Sequence, residues 1–213
     1  MQISKLVLGD YENNSYIVRK ENLSNCLIID TGLDSIPLVE YLKEKKLNPA
    51  ALVLTHGHVD HIAGVENLRK NFNSIKVYIH KSDAPMLCEP SKNFSTVLGL
   101  KIQTSPADIL LTNEGDTDFQ GFNFNVIHTP GHTSGGICLY SEENKVLFTG
   151  DTLFAHSVGR TDFPGYDADE RMRQLIKNIK EKLLVLPEDT NVYPGHGPAT
   201  TIKQEKLHNP YLQ

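Results

Sequence analysis

Among its 213 residues the chain has no tryptophan and only three cysteines, an odd number without a C-x-x-C pair. Cys26 and Cys138 lie in apolar, strand-like runs, so buried free thiols are expected rather than a disulfide framework. Also missing is any run near the roughly 18 apolar residues that a membrane span requires. The N-terminus, Met1 to Asp10, holds no continuous apolar stretch of signal-peptide length. A cytoplasmic protein without a membrane partner is the expectation. Positive charge is not in excess either: 21 Lys and Arg stand against 26 Asp and Glu, for a net charge of -5. That balance lacks the footprint of a general nucleic-acid binder. No low-complexity tract, charge block or fixed-period repeat divides the chain, so a single domain over residues 1–213 is expected. What is present is 39% apolar residues, enough for a sizeable core, and nine histidines. The histidines need an explanation.

Short apolar runs predict strands at Ile3 to Leu8, Ser15 to Val18, Cys26 to Ile29, Ala51 to Leu54, Val77 to Ile79, Phe122 to Ile127, Ile137 to Tyr140 and Val146 to Phe148. Helical spacing of apolar residues predicts helices over Ile36 to Lys46, Ile62 to Phe72 and Ala168 to Leu186. Asp167 followed by Glu170 resembles a capping pair, and Pro187 ends the last helix. Glu89 to Pro106 has little periodicity and reads as a long loop. The mixture implies an α/β protein with helices over sheet faces. Polar clusters repeatedly follow the strands: Asp30-Thr-Gly32, Thr55-His-Gly-His58, His128-Thr-Pro-Gly-His132, Thr149-Gly-Asp151 and Pro194-Gly-His196. Strand ends carrying polar side chains onto Gly-rich loops are common places for chemistry.

The run His56-Gly57-His58-Val59-Asp60-His61 packs four potential metal ligands into six residues. Imidazole and carboxylate suit zinc, iron and similar first-row ions. No sustained helix or strand period aims all four at one point, so a loop is required; a polar surface loop with fortuitous histidines is the plain alternative. Ligand-type residues recurring after three later strands favour metal.

Taken together, Thr55 to His61, Thr129 to Gly135, Phe148 to Phe154 and Tyr193 to Pro198 resemble the four motifs of the metallo-β-lactamase superfamily, in its glyoxalase II-like branch. The resemblance implies a four-layer αββα sandwich with metals at one edge of two sheets. It also implies one ion at His56, His58 and His132, a second at Asp60, His61 and His196, and Asp151 bridging them. Zinc would come first, with iron or manganese also suited. Two ions about 3.5–4 Å apart share and activate a water that attacks a carbonyl carbon. Asp60 and Asp151 would then be the catalytic carboxylates, Asp60 orienting the nucleophile.

Within the family, secreted β-lactamases typically carry Cys where this chain has Asp151 and lack the histidine supplied by His61. The run Ser157 to Gly165 is similar to short bacterial type II glyoxalases, and only 17 residues follow His196, too few for the helical domain of glutathione-specific enzymes. The implied reaction is hydrolysis of a 2-hydroxyacyl thioester of the S-lactoyl thiol type, a small-molecule substrate; oligomeric state is left open. Arg160 would contact a carboxylate of the thiol carrier, or else pair with Asp162 or Asp167. His156 would line the pocket or do nothing special. His128 is expected to make a structural hydrogen bond, and His80 and His208 are ordinary. The same Gly-Arg-Thr-Asp-Phe run resembles persulfide dioxygenases, which would hold one Fe(II) at His56, His132 and Asp151. A metal-binding protein without catalysis is the third reading.

Overall fold

The computed structural model describes residues 1–165 and 167–213. These fall into two compact units, residues 1–112 with 118–122, and residues 113–117 with 123–213.

The first unit is built on a six-stranded sheet in the order β1 (Gln2–Leu8), β2 (Asn13–Arg19), β3 (Asn25–Ile29), β4 (Asn48–Val53), β5 (Lys76–His80) and β6 (Ile109–Leu111). β1, β2 and β3 pair antiparallel, and β3 to β6 pair in parallel. Parallel strands are covered on both faces, which is why β3 to β5 read as unbroken apolar runs. Leu27, Ile28, Leu52, Val53, Val77 and Ile79 are fully buried. Each contributes roughly 1.5–3 kcal/mol of hydrophobic stabilisation.

Helix α1 (Ile36–Glu44) begins with a proline in its first turn and buries Leu38, Val39 and Leu42. The single helix expected over Ile62 to Phe72 is instead two short ones, α2 (Val59–Ile62) and α3 (Val65–Asn71). The break is tertiary. The Gly64 amide leaves the helical ladder to donate to Thr31 Oγ1 at 2.9 Å, and a Cβ on Gly64 would sit 2.5 Å from the Ser35 Cβ. α4 (Ala84–Cys88) precedes the expected long loop, which contains one 3₁₀ turn at Ser95–Leu98.

In the second unit the strands are β7 (Gly115–Asp118), β8 (Asn123–His128), β9 (Ile137–Ser141) and β10 (Val146–Gly150). A two-stranded hairpin follows, β11 (Leu153–Phe154) and β12 (Ser157–Val158), and then β13 (Asn191–Pro194) and β14 (Thr200–Thr201). The sheet order is β14-β13-β10-β9-β8-β7, with β10 and β13 parallel. α5 (Ala168–Asn178) starts at Asp167, whose carboxylate accepts the Glu170 amide at 3.0 Å, and continues as a wider π-type turn to Leu183. Leu175, Ile179 and Leu183 from this stripe are buried with Leu147 and Val192 of the sheet. α6 (Ile202–His208) had no clear periodicity in the sequence.

The expected strands are all present, with ends within two residues except that β4 begins three residues before Ala51, and the chain is a mixed α/β protein with two six-stranded sheets. Among the described residues, no helix is long and apolar enough to cross a membrane.

Candidate metal centre

In the first unit the donors follow directly from β4. Thr55 is fastened by Asp30, which accepts its amide at 2.8 Å and its hydroxyl at 2.7 Å. His58 has extended backbone (φ -69, ψ 151) and caps α2, whose first turn carries Asp60 and His61. The His56 Nε2 and His58 Nδ1 atoms come within 3.1 Å, and the His56 and His61 ring centroids within 4.0 Å. His61 Nε2 is 3.7 Å from Asp60 Oδ2. On its other side His61 Nδ1 lies 2.9 Å from the buried Asp30 Oδ2. The carboxylate accepts the Nδ1–H hydrogen bond there, and the Asn13 side-chain amide stands 3.2 Å from Nε2 as its donor. The loop is held from below by Asp83, whose Oδ2 accepts the Gly57 amide at 3.1 Å.

In the second unit three turns deliver three donors: His132 after β8, Asp151 after β10 and His196 after β13. Asp151 Oδ2 is 3.6 Å from His132 Nε2 and 3.6 Å from His196 Nε2. His132 Nδ1 is 2.8 Å from the Arg160 carbonyl oxygen, an atom that only accepts, so the ring proton is on Nδ1 and Nε2 carries the lone pair. The closeness of the two chain segments requires glycine at 159: a Cβ would lie 1.9 Å from the Asp151 carbonyl oxygen. Phe163 meets the His132 ring edge-on at 5.3 Å, and Phe154 stands 6.2 Å from His196.

These spacings test whether the donors fit a metal. Two ligands of a tetrahedral ion at about 2.0–2.1 Å are about 3.3–3.4 Å apart. The separations of 3.1, 3.6, 3.6 and 3.7 Å bracket that edge. A ring nitrogen 3.6 Å from a carboxylate oxygen is too distant for a hydrogen bond. The donor chemistry and spacing therefore fit divalent metal.

The other predicted residues divide. Arg160 makes the ion pair with Asp162, bidentate at 2.7 and 3.1 Å, and its guanidinium lies over the Phe163 ring at 5.2 Å. The Arg160 side chain holds the Asp162 carboxyl below its usual range. Asp167 instead caps α5. His156 is exposed at the β11–β12 turn, with its ring 6.3 Å from His208. His128 Nε2 is 3.0 Å from the Ser134 carbonyl, a structural bond as expected. His80 accepts the Ser82 amide at Nδ1. Burial pushes the Cys138 thiol up to about 11 and the Cys26 thiol up to about 12, so both stay protonated and unreactive near neutrality.

Sequence reasoning did not assign roles to Asp30, Asp83, Asn93 or Glu205, all of which tie the loops in place. Only Asp30 carried a signal, as the first residue of a polar cluster at a strand end. Glu205 is fully buried and accepts from the His156 amide, the Thr200 hydroxyl and the Asn209 side chain at 2.7–2.9 Å.

The sequence pattern of the family described as "Metallo-beta-lactamase superfamily" matches residues 8–196. A protein of Bacillus subtilis (strain 168), named "Probable metallo-hydrolase YqgX", is 35% identical over 100% of this chain and 98% of its own length. "Hydroxyacylglutathione hydrolase GloC" of Haemophilus influenzae is 36% identical, again over 100% of this chain and 98% of its own. Among solved structures, the BLEG-1 B3 metallo-beta-lactamase is 42% identical with a TM-score of 0.93, covering 100% of both chains. TTHA1623, solved in a di-iron-bound form, is 35% identical with a TM-score of 0.84 over 98% of this chain and 100% of its own.

Proposed function

The chain belongs to the metallo-β-lactamase superfamily, and from that membership we propose that it hydrolyses 2-hydroxyacyl thioesters of the S-lactoyl type to a hydroxy acid and a free thiol. Its two units would act as one catalytic domain, in the cytoplasm. The observation that carries the proposal is the completeness of the donor set: His56, His58, Asp60 and His61 in one unit, His132, Asp151 and His196 in the other. The hydroxyacylglutathione hydrolase named above, similar along the whole chain, supports the thioester substrate.

His56, His58 and His132 would hold one divalent ion, and Asp60, His61 and His196 a second. Asp151 suits a bridging role because its Oδ2 is equally distant from His132 and His196. Zinc and iron both suit these donors, and TTHA1623 is an iron-holding relative. When bound, two such ions lower the pKa of a water and polarise the scissile carbonyl. The protein's own groups do the rest. The Arg160 carbonyl and the Asp30 carboxylate orient the His132 and His61 rings through their Nδ1 atoms. Asp60 orients the attacking water and takes its proton at a carboxylate oxygen. Water adds across the acyl C–S bond: oxygen goes to the carbonyl carbon, and the leaving sulfur takes up the proton. Arg160 receives a carboxylate of the thiol carrier, exchanging the solvated Asp162 for it, and His156 offers a polar contact nearby.

Elemental analysis beside an S-lactoyl thioester assay tests this. Two divalent ions per chain and chelator-sensitive thiol release are expected. One iron per chain with oxygen consumption on a persulfide overturns the proposal, as does full metal loading without turnover of any thioester. A second reading, β-lactam hydrolysis, is favoured by the 42% identity to a B3 metallo-beta-lactamase. A chromogenic β-lactam run in parallel separates the two.

A further inference from the structure

Eight described residues other than glycine have positive φ, and Phe94 is the only apolar one among them (φ 64, ψ 9). A bulky residue in this region is a strained outlier, maintained only where its surroundings over-determine it. Here the determinant is Asn93, which is fully buried. Its Nδ2 donates to the Met86 and Ile102 carbonyls at 2.8 and 2.9 Å, and its Oδ1 accepts the Ser95 amide at 3.0 Å. Its carbonyl accepts the amide of Val59, the first residue of α2, at 3.0 Å. The clamp thus ties the long loop to the helix that follows His58, and it directs the Phe94 ring edge-on to the His58 ring, centroids 5.2 Å apart. Val97 follows on the same 3₁₀ turn, its amide donating to the Phe94 carbonyl at 3.1 Å. Val97 is 71% exposed, and Leu100 beyond it 39%. Asparagine or glycine would occupy position 94 without strain, so the conformation is there to place the ring. What it places beside a candidate metal ligand is apolar surface.

We propose that Phe94 is a specificity-determining residue: its ring, extended by Val97, is the apolar wall on which the acyl tail of the substrate packs beside His58. This rests on the thioester reading above and narrows it, to 2-hydroxyacyl groups with alkyl tails longer than that of lactoyl. Each methylene packed on an apolar wall is worth roughly fourfold in affinity. One wall covers only part of a tail with three extra methylenes, so an overall discrimination of roughly tenfold is expected.

Two variants test the wall. Phe94→Asn removes the ring while suiting the left-handed backbone, so its unfolding midpoint is expected to stay level or rise. Its kcat/KM should fall roughly tenfold further for a 2-hydroxyhexanoyl thioester than for the S-lactoyl one, with the difference in KM. Parallel losses on both substrates overturn the wall and leave thioester hydrolysis standing. No thiol release from the unaltered protein overturns hydrolysis and the wall with it. Phe94→Trp installs the only tryptophan in the chain. Its emission is expected to be quenched when Co(II) is added to the metal-free protein, and to shift when a non-hydrolysable hexanoyl thioether is added. An emission indifferent to both overturns the placement without any reference to turnover.

Discussion

Replacing Asp30 by asparagine tests how the His61 ring is prepared for metal. Asp30 is 1% exposed and has φ 57, a conformation asparagine adopts as readily, so the backbone is left undisturbed. The carboxylate accepts three bonds: Oδ1 from the Thr55 amide, and Oδ2 from the Thr55 hydroxyl and from His61 Nδ1. An amide keeps one oxygen, which the Thr55 amide requires, and turns its NH2 toward the other two partners. The hydroxyl rotates and accepts. His61 can accept only by moving its own proton to Nε2, which removes the lone pair a metal needs. One strong bond to a charged acceptor is lost and a buried site is left poorly matched, so stability should fall by about 2–3 kcal/mol. Metal affinity should fall roughly 10–100-fold, as is usual for the partner that orients a ligand. Urea denaturation of the metal-free protein measures the first and competition with a chromogenic chelator the second. Stability within about 0.5 kcal/mol of the parent together with unchanged metal affinity would refute the argument.

Three other outcomes follow from the geometry. His58→Ala or Asp151→Ala should lose bound metal and hydrolysis together, by several orders of magnitude in rate; turnover surviving in a metal-depleted variant would remove these residues from the site. Glu205→Ala removes the acceptor of the His156 amide and the Thr200 hydroxyl, and one of the two acceptors of the Asn209 side-chain amide, which keeps the Ser157 carbonyl. A loss of about 3–5 kcal/mol is expected in thermal or denaturant unfolding, and less than about 1 kcal/mol would show that the hairpin is held by other contacts. The Cys26 and Cys138 thiols titrate higher in the folded protein, about 12 and 11, than the ordinary 9.0. The unfolded chain therefore releases protons first, and the stabilisation present below pH 9.0 is lost as pH rises through the folded values. Each thiol accounts for about 1.4 kcal/mol per pH unit in that window. Unfolding measured from pH 8 to 11 should be flatter in a Cys26→Ala, Cys138→Ala protein, and identical slopes would contradict the burial argument.

The candidate donors were legible because they are local. His56, His58, Asp60 and His61 are near neighbours in the chain, and each later donor ends an apolar run beside a glycine. The strands were legible for a similar reason, since burial on both faces leaves no polar residue to interrupt them. The groups that aim the donors were not. Asp30 precedes Thr55 by 25 positions and His61 by 31, and only the parallel register of β3 with β4 sets them side by side. Nothing local distinguished Asp162 from Asp167 as the partner of Arg160. The capping of α5 by Asp167 resolved it. The helix over Ile62 to Phe72 failed at Gly64 because Thr31, from another loop, captured its amide.

By itself, then, the sequence determined which side chains can bind metal and which strands carry them, since ligand chemistry and apolar periodicity are properties of short segments. The tertiary structure alone decided which nitrogen of His61 faces Asp30, which nitrogen of His132 faces the Arg160 carbonyl, and which ring stands against His58. Those depend on single acceptors and on one strained residue, set in place by hydrogen bonds from segments far apart in the chain.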